Sequence, residues 1–395
     1  MDYRPTTNSQ LLIDWITGQI DPWRNHKESN FVADWRSYER AYRGVFANED
    51  KHKSSERSTI VTPISAQAVD TRVAELSEAT MSTDDFFDID DDKEDKESVD
   101  VEAMKNKLGE NFKKDKIKRK LQQVLKLGEI YGTGIGEIVI SEGTEQKPAT
   151  RPTDIPGTAE VGVTVSKRTI VDLYPVSPIN FLIDPLAQDI DDSLGVAIEE
   201  YQATYKITER ITSGDYRPCN LESVSQGDSD LYKTDLETQP DTSKILVVRY
   251  YGKVPKNLLE NVDKDNEPKD PLDDALKELK GTEMEEYAEL VEAIIVIGDG
   301  RHLLKAVPTP YMMGDRPVVC YRPDIEEGRF WGRGTVEKGI MMQRAIDGQV
   351  RAHMDSIALL AAPMVGIDST KMPRGFKFHI QAGRTILTQG RSSEA

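Results

Sequence analysis

One long helical pattern near the end of the sequence limits which folds are possible. It follows the turn Phe330-Trp-Gly-Arg-Gly334 and continues without a break to about Ala362, where Pro363 ends it. At 1.5 Å per residue, the stretch 335–360 forms roughly 39 Å of helix. Thr335 is expected to cap its start. Such a helix needs an equally long partner, either an antiparallel helix of the same chain or a neighbouring copy in a ring.

One face of this helix is mostly apolar at 3.6 residues per turn. It comprises Val336, Ile340, Ile346, Val350, Met354, Ile357 and Ala358, with interruptions at Gln343 and Asp347. An adjoining flank carries Arg344 and Arg351, and Arg351 stands four residues from both Asp347 and Asp355. Opposite charges at that spacing stabilise a helix.

The chain has a net charge of −18, from 69 acidic and 51 basic residues among 395. A protein that holds DNA statically normally offers a basic surface, because counterions released from the phosphates supply much of the affinity. The composition therefore indicates that the protein either avoids nucleic acid or handles DNA without holding it.

Two charge runs of opposite sign interrupt this acidic background. From Asp84 to Glu102 there are eleven acids and two lysines, and from Lys113 to Lys126 there are seven basic residues and one acid. The basic run also has an amphipathic helical pattern, formed by Ile117, Leu121, Val124 and Leu125. Its basic face is either an ordinary solvated helix face or a contact surface for DNA or an acidic neighbouring subunit.

The remaining sequence alternates between helical and strand patterns, which predicts an α+β fold. Helices are expected over 8–48 and after Thr62-Pro63, and Leu127–Ile140 passes from helix to strand. We expect a loop or hairpin over 141–160, separate strands at 161–165 and 170–173, a loop over 213–243, a strand at Ile245–Tyr251, an acidic helix near 271–290 and a hairpin over 292–306.

No motif predicts an enzyme, a cofactor site or a metal site. Gly132-Thr-Gly-Ile-Gly136 resembles part of a dinucleotide-binding loop, but it stands between a helix and a strand, the reverse of the order that mechanism needs. Asp263, Asp265 and Glu267 resemble the start of a calcium loop, but Pro268 occupies the position that needs glycine. The two cysteines and five histidines are scattered, and no segment approaches the about 20 apolar residues of a membrane-spanning helix.

Four segments together resemble the portal proteins of tailed bacteriophages, particularly the short-tailed type. Phe330-Trp-Gly-Arg-Gly334, followed by a helix rich in Gln, Asp and Arg, is similar to the family's glycine-arginine turn and its helix. In that helix the matching residues are Gln343, Asp347, Gln349, Arg351 and Asp355, with Pro363 after them. Upstream, the similar segments are Pro175–Pro178 with Phe181–Pro185, Tyr131–Gly134, and Ser58–Pro63 before a helix.

The resemblance implies an α+β portal architecture, with a helical wing and stem and a small α/β clip around a central channel. By that analogy residues 1–200 form the N-terminal wing region and 201–243 a stem-proximal segment and loop. Residues 244–322 form a clip-like α/β module, and 323–395 form the stem or channel helix and the start of a C-terminal wing. Because the family continues beyond this point, we expect the chain to be a fragment or the ordered part of a longer polypeptide.

The resemblance also implies a function and a set of partners. The protein would form a dodecameric ring at the portal vertex of the capsid, the channel for DNA packaging and ejection, after assembling in the host cytoplasm. Its partners would be its own copies, the major capsid protein, terminase, tail adaptor proteins and double-stranded DNA in transit, with no membrane contact. An acidic wall suits such a channel, because each phosphate contact adds affinity and friction. The candidate channel-facing residues are Arg344 and Arg351.

Two rival functions remain open from the sequence. One is a metal-dependent enzyme that processes nucleic acid, with catalytic carboxylates among the 69 acids. The other is a different structural protein of the virion, such as a tail adaptor.

Overall fold

A computed structural model describes residues 8–46, 58–83, 86–89, 101–152, 159–219, 244–262, 289–311 and 314–361. The helices are α1 (Asn8–Lys27), α2 (Ala33–Arg43), α3 (Ile64–Met81), α4 (Val101–Lys114), α5 (Ile117–Tyr131), α6 (Thr204–Thr212), α7 (Lys256–Val262) and α8 (Thr335–Ala361). The strands are β1 (Gly134–Pro152), β2 (Ala159–Val176), β3 (Phe181–Ile183), β4 (Gly195–Ala203), β5 (Lys244–Pro255), β6 (Leu290–Gly298), β7 (His302–Pro308) and β8 (Val318–Tyr321). The chain combines these helices with two antiparallel sheets, so it is a mixed helix and sheet protein, consistent with the predicted α+β class.

The five strands β3 to β7 form an antiparallel sheet in chain order. One face packs against α1, where Leu12, Ile16 and Trp23 meet side chains of the sheet that include Leu182, Val248, Tyr250 and Ile295. On the opposite face, Phe181, Ile198 and Tyr251 enter a second core that also contains residues of α2, α3, α5 and α8. Side chains alternate between the faces of a strand, so this sheet separates two apolar cores.

Strands β2, β1 and β8 form the second sheet in that order. Strands β1 and β2 pair continuously from Ile135 opposite Val176 to Pro152 opposite Ala159, whereas β8 pairs with β1 only over 134–137. The base of this ribbon packs against α5, where Val124 contacts Leu173 in a small apolar cluster.

Several predicted elements are confirmed. Helix α8 covers 335–361, and the hairpin predicted over 292–306 is formed by β6 and β7. The turn between them has positive φ angles at Asp299 and Gly300, as tight hairpins require. The helical region 8–48 is α1 and α2, which a π-helical turn joins at Glu28–Val32, and Gly44 ends α2 in a left-handed conformation.

Two predictions about local structure are wrong. The predicted separate strands at 161–165 and 170–173 are one continuous strand, β2, and its antiparallel pairing with β1 confirms the hairpin alternative for 141–160. The basic run is not one helix, because Lys116 has a φ of 56° and separates α4 from α5. The acidic helix expected near 271–290 and the part of the loop from 220 to 243 lie outside the described residues.

Strands from both sides of residue 200 pair in the five-stranded sheet, since β4 lies next to β5. The predicted division into wing and clip regions therefore stays a prediction, and the two regions share one sheet. Among the described residues, no helix is long and apolar enough to cross a lipid bilayer.

Candidate functional site at the base of the long helix

Two glycine-rich turns cross where α8 begins. The turn Gly132–Gly134 leads from α5 into β1, and its Thr133 hydroxyl oxygen accepts a hydrogen bond of 3.0 Å from the Gly332 amide. Gly132 has a φ of 92°, and a Cβ atom there would overlap the carbonyl oxygen of Gly332. A Cβ atom at Gly334 would lie 2.6 Å from the Glu129 carbonyl oxygen. Glycine is required in both turns because the two backbones touch.

An aromatic cluster surrounds the same crossing point. Trp331 lies 4.7 Å from Trp35, measured between ring centroids, and 6.2 Å from Phe181. Phe330 stacks on Phe181 at 5.9 Å, and Tyr131 meets the edge of Trp35 at 6.4 Å. Aromatic pairs in this range of distances and orientations are attractive beyond their buried area. The cluster thus holds α2, α5, β3 and the turn before α8 in one packed unit.

The carboxylate of Glu129 is buried beneath the first turn of α8. It accepts a hydrogen bond of 3.0 Å from the Tyr321 hydroxyl and another from the Thr335 hydroxyl, and Arg72 Nε lies 3.9 Å away. Burial and the neighbouring carboxylate raise the pKa of Tyr321 well above its usual range, so it remains a donor. Thr335 therefore ties α8 to α5 instead of capping its own helix.

Farther along α8, four polar side chains spaced by four residues bind the extended segment before α3. We call Gln343, Asp347, Arg351 and Asp355 the polar ladder. Asp355 accepts from the Ser58 amide at 2.9 Å, and Arg351 Nε donates to the Ile60 carbonyl at 2.8 Å.

Gln343 and Asp347, the two residues of the ladder nearest the start of α8, are its most buried members. Asp347 accepts from the amide and the hydroxyl of Thr62 at 2.7 and 2.6 Å, and Gln343 bonds both the Thr62 carbonyl at 2.9 Å and the Ser65 amide at 3.2 Å. Side chains of α8 thus satisfy the backbone of a segment that has no sheet partner of its own.

These contacts bring together all four segments that carry the family resemblance. The ladder binds Ser58–Pro63, the turn at 330–334 crosses Tyr131–Gly134, and Phe330 and Trp331 pack on Phe181. Segments distant in sequence therefore form one unit at the base of α8.

The predicted channel residues both lie beside the chain's own segments. Arg344 is exposed and donates a hydrogen bond of 2.8 Å to the Ser37 hydroxyl. Arg351 belongs to the ladder, and its guanidinium lies 4.7 Å from the centre of the Phe46 ring and 3.8 Å from Asp347. No observation places a channel beside them, so this role stays a prediction.

The second half of α8 is uncovered by the described part of the chain. In the first half, Val336 lies in the core that contains residues of α2, α3 and α5, and Ile340 is also buried. Farther along, the apolar face becomes exposed. Met354 is 44% exposed, Ile357 47% and Leu360 80%. Among the described side chains in 352–361, Asp355 is half-buried and all the others are exposed.

A second buried charge cluster joins the two sheets. Glu137 of β1 accepts two hydrogen bonds of 2.8 Å from Arg249 of β5 and one of 2.6 Å from the Tyr251 hydroxyl, and Arg249 also donates to Glu200 at 2.7 Å. Burial and the nearby carboxylate raise the pKa of Tyr251 well above its usual value. The pair holds the ribbon to the five-stranded sheet.

Sequence reasoning missed Glu129 and Glu137, although a signal was present. Glu137 stands in the apolar run Ile135–Ile140, where an inward-facing charge requires a buried partner. Nothing in the sequence indicated which arginine pairs with it, because Arg249 lies more than one hundred residues away.

In the described ranges, no group of three or more His, Cys, Asp or Glu side chains is placed to hold a metal ion. Comparison with protein-family models gave no match, and comparison with curated proteins gave no significant match.

Proposed function

We propose that this chain is the subunit of a tailed-bacteriophage portal, a dodecameric ring at the capsid vertex through which DNA is packaged and ejected. In this role the ring carries the docking platform for terminase and the tail adaptor and contacts the major capsid protein. The proposal is supported by the convergence of the four family-like segments on the base of α8.

The observation that carries the proposal is the second half of α8, whose apolar side chains the described part of the chain leaves exposed. A helix of 27 residues is about 40 Å long, and its base is fixed while Met354, Ile357 and Leu360 remain exposed. An exposed apolar stripe on a rigid helix is typical of an interaction surface. In a ring, the same stripe on each copy meets the next subunit, and the contact repeats until the ring closes.

The polar ladder supports the same role, because it fixes the direction in which α8 leaves the body. Gln343 and Asp347 are buried and hydrogen-bonded to Thr62 and Ser65, so the base of the helix cannot turn without breaking those bonds. A ring closes only when every subunit presents its interface at the same angle.

Imaging of the purified protein by negative-stain electron microscopy, together with its mass by light scattering, tests the proposal. Rings with a central hole and a mass near twelve subunits are the expected result. A protein that stays monomeric under all assembly conditions, or that cleaves DNA when supplied with Mg²⁺ or Mn²⁺, contradicts the proposal.

The interface is tested by charge introduced on α8. Ile357→Asp with Leu360→Asp is expected to abolish rings while the circular dichroism spectrum is retained. Ala352→Asp is the control, since this exposed residue lies on the same half of the helix but about 140° around its axis from Ile357. If the double variant assembles as well as the control, the uncovered stripe is not the subunit interface.

A further inference from the structure

The junction of α4 and α5 carries a concentrated positive charge. Within seven residues, Lys113, Lys114, Lys116 and Arg119 are all exposed, and Asp115 is the single acid among them. We call these four residues the basic corner. It stands out in a chain whose net charge is −18.

The other basic residues of the run have internal roles. Lys118 donates to the carbonyl oxygens of Met81 and Thr83 at 3.2 and 2.5 Å, and Lys120 pairs with Asp172. Lys126 lies 3.3 Å from Asp70. These three lysines therefore hold neighbouring elements together, and the four cations of the corner are exposed.

The corner is held in a fixed shape by apolar side chains on both sides of it. Phe112 stacks on Phe86 at 6.0 Å and meets Phe87 at 5.0 Å, and Ile117 is buried with Val124. Lys116 between them has a φ of 56°, a conformation in which glycine or asparagine costs less. The chain therefore places a lysine where backbone energetics alone favour another residue.

We propose that the basic corner binds the phosphate backbone of duplex DNA. Clustered lysine and arginine side chains on a rigid surface neutralise adjacent phosphates and release their counterions, which supplies affinity without sequence preference. The amino-terminal end of α5 lies at the same corner, and its first turn contains no acidic residue to oppose an anion. The choice of duplex DNA among polyanions rests on the proposed portal function.

This contact differs from transport along an acidic wall. The net charge of −18 repels DNA, so the basic corner of each subunit provides a local place for contact. The basic corner is also a different site from Arg344 and Arg351. Those two residues belong to α8 and contact Ser37, Ile60 and Phe46.

The test uses fluorescence anisotropy of the full chain with a short random-sequence duplex between about 50 and about 200 mM salt. The corner variant reverses all four charges: Lys113→Glu, Lys114→Glu, Lys116→Glu and Arg119→Glu. A control reverses four exposed cations elsewhere: Lys206→Glu, Lys244→Glu, Lys253→Glu and Arg301→Glu. Both variants change the net charge equally, so only the location differs.

We expect the corner variant to bind at least about tenfold more weakly and to lower the slope of log affinity against log salt by about 3 to 4. The control should change affinity by less than about threefold, because screened charges far from the contact act weakly. Lys116→Gly relieves the left-handed strain and should lower the slope by about 1, which keeps the test valid if the fourfold variant unfolds.

Equal losses in both fourfold variants would show that net charge alone governs binding and would overturn the proposal. It is also overturned if the corner variant loses assembly but keeps its DNA affinity, since the corner then contacts another subunit. Failure of the wild-type protein to bind the duplex while rings form overturns this inference and leaves the portal proposal intact. Corner-dependent binding by a protein that never forms rings supports the inference and removes the portal proposal.

Discussion

Asp347 and Thr62 are joined by two hydrogen bonds, although 285 residues separate them in the sequence. One carboxylate oxygen of Asp347 accepts from both the amide and the hydroxyl of Thr62, at 2.7 and 2.6 Å. The aspartate interrupts the apolar face of α8, yet it is among the buried residues of that helix. The long helix is therefore anchored through its polar positions as well as its apolar ones.

Asp347→Ala should lower the free energy of unfolding by about 2 kcal/mol, because it leaves the half-buried Thr62 amide and hydroxyl without their charged acceptor. Urea unfolding followed by circular dichroism measures the change. Gln349→Ala, an exposed position on the same helix, is the control and should stay within about 0.5 kcal/mol of the wild type. A loss at Asp347 no larger than the control's would mean that the ladder contributes nothing to stability.

Replacing glycine by alanine should have opposite effects on stability at Gly132, in the crossing turns, and at Gly348, in the middle of α8. Gly132→Ala should destabilise by at least about 2 kcal/mol, because its φ of 92° disfavours a side chain and the new Cβ atom overlaps Gly332. Gly348→Ala, in the middle of α8 with open space around it, should stabilise by up to about 1 kcal/mol. Thermal unfolding of both variants measures these changes in stability. If Gly132→Ala is as stable as the wild type, the two turns do not cross as described.

Local patterns were enough to predict the elements whose signal lies within a few residues. The 3.6-residue repeat gave α8 nearly to its last residue, and the glycines at 298 and 300 marked the hairpin of β6 and β7. The continuous length of the ribbon was not predicted, because Lys, Glu, Thr and Pro residues interrupt its alternating apolar pattern on both sides of 161–165. The break at Lys116 was missed because lysine rarely adopts a positive φ.

The contacts of the candidate site depended on tertiary structure and were harder to predict. The sequence shows that Gln343 and Asp347 interrupt the apolar stripe of α8. It does not show that these two side chains are buried and hydrogen-bonded. Their partner, the backbone of Thr62, has no side-chain signal, because any residue has an amide and a carbonyl. The sequence also gave no indication of where the apolar face stops being covered, because coverage depends on the lengths of α2, α3 and α5.

The buried pair of Glu137 and Arg249 should show strong coupling. Glu137→Leu or Arg249→Leu alone should lower the free energy of unfolding by about 3 to 5 kcal/mol, since each leaves a buried charge without its partner. The double variant should cost much less than the sum of the two. The exposed pair Lys256 and Glu289, 2.9 Å apart, is the matched control and should couple by less than about 1 kcal/mol. Additive effects at Glu137 and Arg249 would contradict the bidentate contact.

The last prediction concerns Lys27, a buried lysine at the end of α1. Its ammonium donates to the Ile179 carbonyl, and it lies beside a cavity of about 20 Å³ between α1 and the turn before α8. Burial lowers the pKa of Lys27 from 10.5 to about 8, against the opposing attraction of Glu199. The unfolded chain therefore binds more protons than the folded chain between about pH 8 and about pH 10.5.

In that window the wild-type protein should gain stability as the pH rises, because the folded lysine loses its buried charge before the unfolded one does. Relative to Lys27→Met, the wild-type free energy of unfolding should increase by about 2 kcal/mol between about pH 7 and about pH 9.5. Comparing the two proteins removes the contribution of the buried tyrosines, whose raised pKa values act in the opposite direction. Lys253→Met, at an exposed position, should run parallel to the wild type. If Lys27→Met also runs parallel, the ammonium at position 27 is not desolvated in the folded protein.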